Sequence, residues 1–175
     1  MTDQLAATID DRVLGNYLAA LSSGFPTPGG GSAAGVAGAL GCALGSMVCN
    51  LTLAREPNEQ IDELRLALLE LQSAMLRQAE ADERVFGAYR EAMDLPRSTP
   101  EEKAHRRAAI ENTLVAAADV PGQMVILGLS ALIALRGAAV NGSPHALGDL
   151  LTGGYLVGAM IQGALENMTA NAARM

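Results

Sequence analysis

From Val13 to Ala54 the chain carries no Asp, Glu, Lys or Arg, and the stretch is rich in Gly and Ala. A segment this long without a charge has no solvated face of its own, so most of its surface must pack against other apolar elements. Residues 33 to 54, "AAGVAGALGCALGSMVCNLTLA", are long enough to cross a bilayer, and Gly41 with Gly45 makes a GxxxG pattern. Ser46, Asn50 and Thr52 interrupt that run, and its flanks lack aromatic anchors and a basic cluster. These features favour a buried helix in a soluble bundle or dimer, and no membrane partner is expected.

Aromatic residues make up only 3% of the chain and Trp is absent, while half of all residues are hydrophobic. The core must therefore be built from Ala, Leu, Val, Ile and Met, with Gly where backbones approach, a composition that favours helices over strands. The 175 residues fit a single domain, 1–175, with no second domain required. Cys42 and Cys49 stand seven apart in a helical pattern, which puts their α-carbons roughly 10 Å apart, too far for a disulfide. Both are expected to be small core residues.

The charge lies mostly in the middle of the chain, since after Asp119 only Arg136, Asp149, Glu166 and Arg174 are charged. The net charge of −7 argues against a nucleic-acid partner, which would need clustered Lys and Arg. Lys103, Arg106 and Arg107 do cluster, but among Glu101, Glu102 and Glu111, as on an ordinary solvated helix face. The start "MTDQLAATIDDRVLGNYL" places acids where a secretory signal would be basic, so a cytoplasmic location is expected.

Periodicity and punctuation outline an all-α, multi-helix up-and-down bundle with long helices. Leu5, Ile9, Val13, Tyr17 and Leu21 recur at helical spacing and predict a helix over 4–22, ended by Ser23, Gly24 and Pro26. A buried helix is predicted from about Ser32 to Leu53, and a long one from about Ile61 to Met93. Thr99 with Glu102 forms a capping box with Pro100 at the first helical position. The helix that follows should kink or restart at Pro121 and extend to about Ala139. Ser143 is the expected cap before Pro144, and a Gly-rich helix or helix pair should run from His145 to the end.

The loop "FPTPGGGS" at residues 25 to 32 opens the buried helix with bare backbone. It is not a phosphate-binding P-loop, because Gly31 leads to Ser32 and Ala33 and no strand precedes it. Gly29, Gly31 and Ala34 satisfy a loose dinucleotide pattern without the βαβ unit that gives it meaning. Glycine N–H groups at a helix amino end can still present donors to a carboxylate, a carbonyl or a developing oxyanion. A tight connection that lets two helices cross is the equally good structural explanation.

The usual catalytic signatures are missing. HExxH and CxxC are absent, and the two histidines, His105 and His145, lie on a charged helix and beside a turn, so no metal site is expected. What stands out is a set of polar groups in apolar segments: Asn50, Asp149, Asn167 and Asn171, with Asp82 on the long helix. Burying such groups unpaired costs about 1–3 kcal/mol, so each needs a partner. A solvated face explains Asp82 as well as a functional role does. Asp149 is the only acid between Asp119 and Glu166, and a helix cap or a pair with Arg136 competes with catalysis as its explanation.

"PTPGGGSAAGVAGALGCALGSMVCNLTL" resembles the signature of the cyclodeaminase/cyclohydrolase family. That family includes the cyclodeaminase domain of formiminotransferase-cyclodeaminase and stand-alone bacterial methenyltetrahydrofolate cyclohydrolases. The likeness extends through "EADERVFGAY", with Asp82 and Phe86, "DVPGQM" around Pro121, "GDLLTGG" at Asp149 and "ENMTAN". Members often carry several lysines after N-L-T-L, where this chain has only Arg55.

The resemblance implies an all-helical homodimer acting on a one-carbon unit that bridges the two nitrogens of tetrahydrofolate, with no cofactor beyond that folate. It implies catalysis by Asp149, with Asp82 in reserve. Pro28, Gly29, Gly30, Gly31 and Ser32 would form the substrate-binding loop, with its N–H groups as backbone donors, and Asn167 and Asn171 would orient the pterin or water. The expected activity is methenyltetrahydrofolate cyclohydrolase, because 175 residues leave no room for a formiminotransferase domain. Formiminotetrahydrofolate cyclodeaminase is the alternative enzyme, and a non-catalytic folate-binding or partner subunit is the alternative of another class.

Overall fold

The computed structural model describes residues 13–173 and contains five α-helices and one short 3₁₀ turn over that span. They are α1 (Leu14–Leu21), α2 (Gly30–Leu53), α3 (Glu59–Asp94), α4 (Pro100–Asn141) and α5 (Leu147–Ala172), with the 3₁₀ turn at Pro144–Ala146 before α5. No strand occurs among the described residues, as the composition predicts. Leu5 and Ile9, which carry the first half of the expected 4–22 helix, lie outside the described residues.

Helices α2 to α5 form a closed ring of antiparallel neighbours. Gly31 faces Asp82 while Gly45 faces Leu68, so α2 and α3 run in opposite senses. Gly41 meets Gly153 and Gly38 meets Met160 between α2 and α5, Gly128 meets Ile161 and Leu135 meets Gly153 between α4 and α5, and Gly137 meets Leu64 while Arg106 reaches Met93 between α4 and α3, which fixes the other three pairings. The core between them holds Ile61, Leu68, Met75, Met124, Met160, Val48 and Val157 with no solvent exposure. Cys42 and Cys49 are buried and free, and burial pushes the Cys42 thiol up to about 12.

The Gly-rich face of α2 is what brings the helices so close. A Cβ on Gly41 would come within 2.6 Å of the Gly153 carbonyl oxygen, and one on Gly153 within 2.9 Å of that of Gly41. A Cβ on Gly35 would sit 2.8 Å from the Ala79 Cβ and 2.9 Å from the Met75 carbonyl oxygen. Backbone cannot swing aside as a side-chain tip can. Gly35→Ala should therefore push α2 from α3 and destabilise the protein by about 1–3 kcal/mol. Denaturant unfolding would show this as a lower midpoint, and an unchanged midpoint would mean that the crossing tolerates a methyl group.

The helix limits follow local chemistry. The Asn58 side chain caps α3 by accepting from Ile61 N at 3.1 Å, and the Thr99/Glu102 capping box opens α4 with Pro100 in its first turn. Ser143 does not cap with its side chain. Its N–H donates to Thr52 Oγ1 at 3.0 Å and its hydroxyl accepts from Arg55 Nη1 at 3.2 Å, tying the turn to the end of α2. The expected restart at Pro121 does not occur, and α4 continues through it to Asn141. Proline has no N–H to give the carbonyl four residues back, that of Ala117. Asn171 on α5 supplies the missing donor, its Nδ2 lying 2.7 Å from Ala117 O.

Two helices, α2 and α4, are long and apolar enough to cross a membrane by length and composition. Apolar side chains recur on the outer faces of the ring. Leu40, Met47 and Leu51 on α2, Ile126, Leu129 and Ile133 on α4, and Leu151 and Tyr155 on α5 are all exposed.

Candidate functional site

At one end of the ring, the loop before α2 and the first turn of α2 meet the faces of α3, α4 and α5 around a cavity of about 170 Å³. Gly29, Gly30, Gly31, Asp82, Asn167 and Asn171 all line it. Six residues picked out along the sequence are thus gathered in space. The Thr27–Pro28 peptide is cis; Pro26 and Thr27 also face the cavity, while Pro28 is buried in the turn.

Gly29 occupies the N-cap of α2 and has no side chain to cap with. The need is met from another helix. Asp82 Oδ2 accepts the Ser32 N–H at 3.1 Å, so a carboxylate of α3 serves one of the orphan donors of the first turn. Gly31 makes room for it, since a Cβ at that position would overlap the Asp82 carboxylate. The bare glycines therefore have a spatial reason: the carboxylate takes the volume a side chain would fill.

Ser32 is fully buried behind this contact rather than in the cavity wall. Its hydroxyl donates to Glu83 Oε1 at 2.8 Å and lies 3.0 Å from the Tyr17 hydroxyl. With its single proton given to Glu83, Ser32 accepts from Tyr17. Asp82 is held from below by the Ser32 N–H while Glu83, next in sequence, is held by the Ser32 side chain. Burial pushes the Asp82 carboxyl above the ordinary carboxylate range, the Ser32 N–H draws it down, and the neighbouring Glu83 charge pushes it up again.

Both asparagines spend their nitrogen on backbone. Asn167 Nδ2 donates to Gly163 O at 2.8 Å within α5, and Asn171 Nδ2 donates to Ala117 O on α4. The rest of the wall is apolar or aromatic, including Val85, Phe86, Tyr89 and Leu114, with the Phe86 and Tyr89 ring centres 6.4 Å apart and tilted by 47°. Tyr89, Leu114 and Ala117 were not expected in the site, and Phe86 was noted only within a motif. Asp82, Val85, Phe86 and Tyr89 lie at helical spacing on one face of α3, so the period that marks a core stripe also marked this wall.

Asp149, the carboxylate favoured from sequence, is elsewhere. It is exposed in the first turn of α5, with about 27 Å of helix between it and Asn167 at 1.5 Å per residue. It makes no ion pair with Arg136, and its position suits the helix dipole. Asn50 lies in a separate groove of about 360 Å³ between α2 and α3, beside Met47, Leu69 and Gln72 and without a titratable group.

Residues 13–175 match the model of a protein family described as formiminotransferase-cyclodeaminase. The chain belongs to that family. It is 35% identical over 164 residues to the formimidoyltransferase-cyclodeaminase of Gallus gallus, covering 91% of this chain and 30% of that protein. It is 40% identical over 119 residues to a methenyltetrahydrofolate cyclohydrolase of Methylorubrum extorquens, covering 63% of this chain and 55% of that one. The chain thus spans less than two thirds of either relative. A formiminotetrahydrofolate cyclodeaminase from Thermotoga maritima shares the fold, with a TM-score of 0.83 over 95% of this chain and 81% of its own at 24% identity.

Proposed function

We propose that this family member hydrolyses 5,10-methenyltetrahydrofolate to 10-formyltetrahydrofolate without a metal or further cofactor. The observation that carries the reading is Asp82: among the described residues it is the one carboxylate in the cavity wall, and it stands beside a glycine-lined opening, two asparagines and an aromatic face. The cavity volume is on the scale of a flat ring system, with the anionic glutamate tail left outside. The 40% identity to a methenyltetrahydrofolate cyclohydrolase supports this choice of substrate.

The methenyl carbon is a cationic electrophile, so the protein needs only to place water and move protons. Water adds to that carbon as Asp82 takes one of its protons, giving a neutral hydroxy adduct. Asp82 then returns the proton to N5, the C–N5 bond breaks, and the hydroxyl becomes the formyl carbonyl on N10 as its proton leaves to solvent. One water is consumed and one proton released. A carboxylate beside the methenyl cation also stabilises the bound substrate.

The cyclodeaminase reaction is the second reading, favoured by relatives named formimidoyltransferase-cyclodeaminase that align with about nine-tenths of the chain. In that direction Asp82 would assist attack of the second nitrogen on a formimino carbon and the loss of ammonia. The methenyl chromophore separates these readings. Hydrolysis should erase its near-ultraviolet absorbance faster than buffer alone, whereas formiminotetrahydrofolate should generate it if the chain is a deaminase. A chain that binds folate and changes neither signal is a non-catalytic binder.

We also propose a homodimer, because the outer apolar stripes of α2, α4 and α5 expose more large side chains than a lone small bundle usually leaves to water. Light scattering at micromolar concentration should return twice the chain mass. A monomer there would overturn the proposal.

A further inference from the structure

We propose that Pro121 is a positioning residue for the ligand: by denying the Ala117 carbonyl its helical donor, it fixes the Asn171 amide with nitrogen toward α4 and oxygen left as an acceptor for an N–H group of the ligand. The inference rests on the folate reading only for the identity of that ligand.

An ordinary residue at 121 would give its N–H to Ala117 O, four residues back in the same helix. Proline cannot, and Asn171 Nδ2 donates to that carbonyl instead, from 2.7 Å away. Turning the amide over would leave the carbonyl unsatisfied and set two oxygens against each other, so the two orientations are no longer close in energy. Both Ala117 and Asn171 line the cavity, and Asn171 Oδ1 has no hydrogen-bond partner among the described residues. The orientation is thus decided where it bears on a bound molecule. Asn167 reaches the same polarity by a different route, donating Nδ2 to Gly163 O within its own helix. Together with the Asp82 carboxylate these amides make a wall of acceptors. It suits a flat heterocycle whose edge carries N–H groups and disfavours one whose edge carries only acceptors.

The test compares P121A, N171A, N171D and the P121A/N171A double variant with the wild type. Two measurements are made: hydrogen exchange of the Asn171 side-chain amide by NMR in ligand-free protein, and Kd for tetrahydrofolate by calorimetry. Alanine is the better helix former at an interior position, so P121A is expected to fold. The wild-type amide should exchange slowly and the P121A amide fast. P121A and N171A should each weaken tetrahydrofolate binding about tenfold, the loss of roughly one oriented hydrogen bond, with the double variant no weaker than N171A. N171D keeps the size but has no donor for Ala117 O, and should bind more weakly as well. An unchanged amide signal in P121A, additive losses in the double variant, or wild-type affinity in N171D would each overturn the proposal. If the wild type itself does not bind tetrahydrofolate, the folate reading fails by itself, and the amide exchange of P121A alone decides whether Pro121 sets the orientation of Asn171.

Discussion

Replacing Asp82 by Asn is expected to lower methenyltetrahydrofolate turnover by about 10²- to 10⁴-fold, the usual range for one acid–base group, without destabilising the protein near neutral pH. The amide retains an oxygen to accept the Ser32 N–H, so the cap on α2 survives while proton transfer does not. The sign of the stability effect follows from the cause of the pKa shift. Burial holds the Asp82 carboxyl above its ordinary value of 3.8 in the folded chain. The folded state therefore holds the proton more tightly than the unfolded state. The stability linked to this group is fully present below 3.8 and is lost as pH rises through the raised folded value. Asp82→Asn removes that loss, so its stability relative to wild type should rise across the same window. Activity should show the complementary behaviour, with the acid limb of kcat/KM above 3.8 because the carboxylate form must accept the proton. Asp149→Asn, measured alongside, should turn over within a few-fold of wild type. A large loss in Asp149→Asn with an active Asp82→Asn would return the role to Asp149.

Gly31→Ala should be nearly as damaging to turnover, by about 10²-fold, for a reason that involves no chemistry of residue 31 itself. Its methyl group would occupy the space of the Asp82 carboxylate. A short side chain can rotate away, so the clash is relieved by losing the Ser32 N–H contact and the placement of the carboxylate. The helix gains from Ala over Gly by up to ~1 kcal/mol, which offsets the lost contact, and the melting temperature should shift by only a few degrees. Gly35→Ala, one turn further along α2, meets backbone instead and should show the reverse pattern: lower stability with turnover per folded molecule largely kept. Unimpaired turnover in folded Gly31→Ala would show that the observed position of Asp82 is not the working one.

The contrast between these two glycines also marks the division between local and non-local information. Helix limits, the Thr99/Glu102 capping box and the Ala/Leu/Met core were legible in the sequence because periodicity and capping involve residues within about four positions of each other. At Pro121 the same local reading predicted a kink or a restart, and the restart is absent because the compensating donor is Asn171, on another helix. The family motifs singled out Asp82 and Asp149 alike. Asp149 drew more weight because it is alone in a charge-poor tail, yet isolation along the chain is not burial, and it sits in solvent at the far end of α5.

By itself the sequence determined an all-helical chain, the near-limits of its long helices, the glycine-rich helix that must be packed, and the family whose motifs it carries. Only the tertiary structure decided which carboxylate meets the glycine loop. That choice depends on the register of α2 against α3, set by the contacts of Gly35 with Ala79 and of Gly38 with Met75. A register is a property of two surfaces at backbone distance, and no window of sequence around Asp82 contains the other surface.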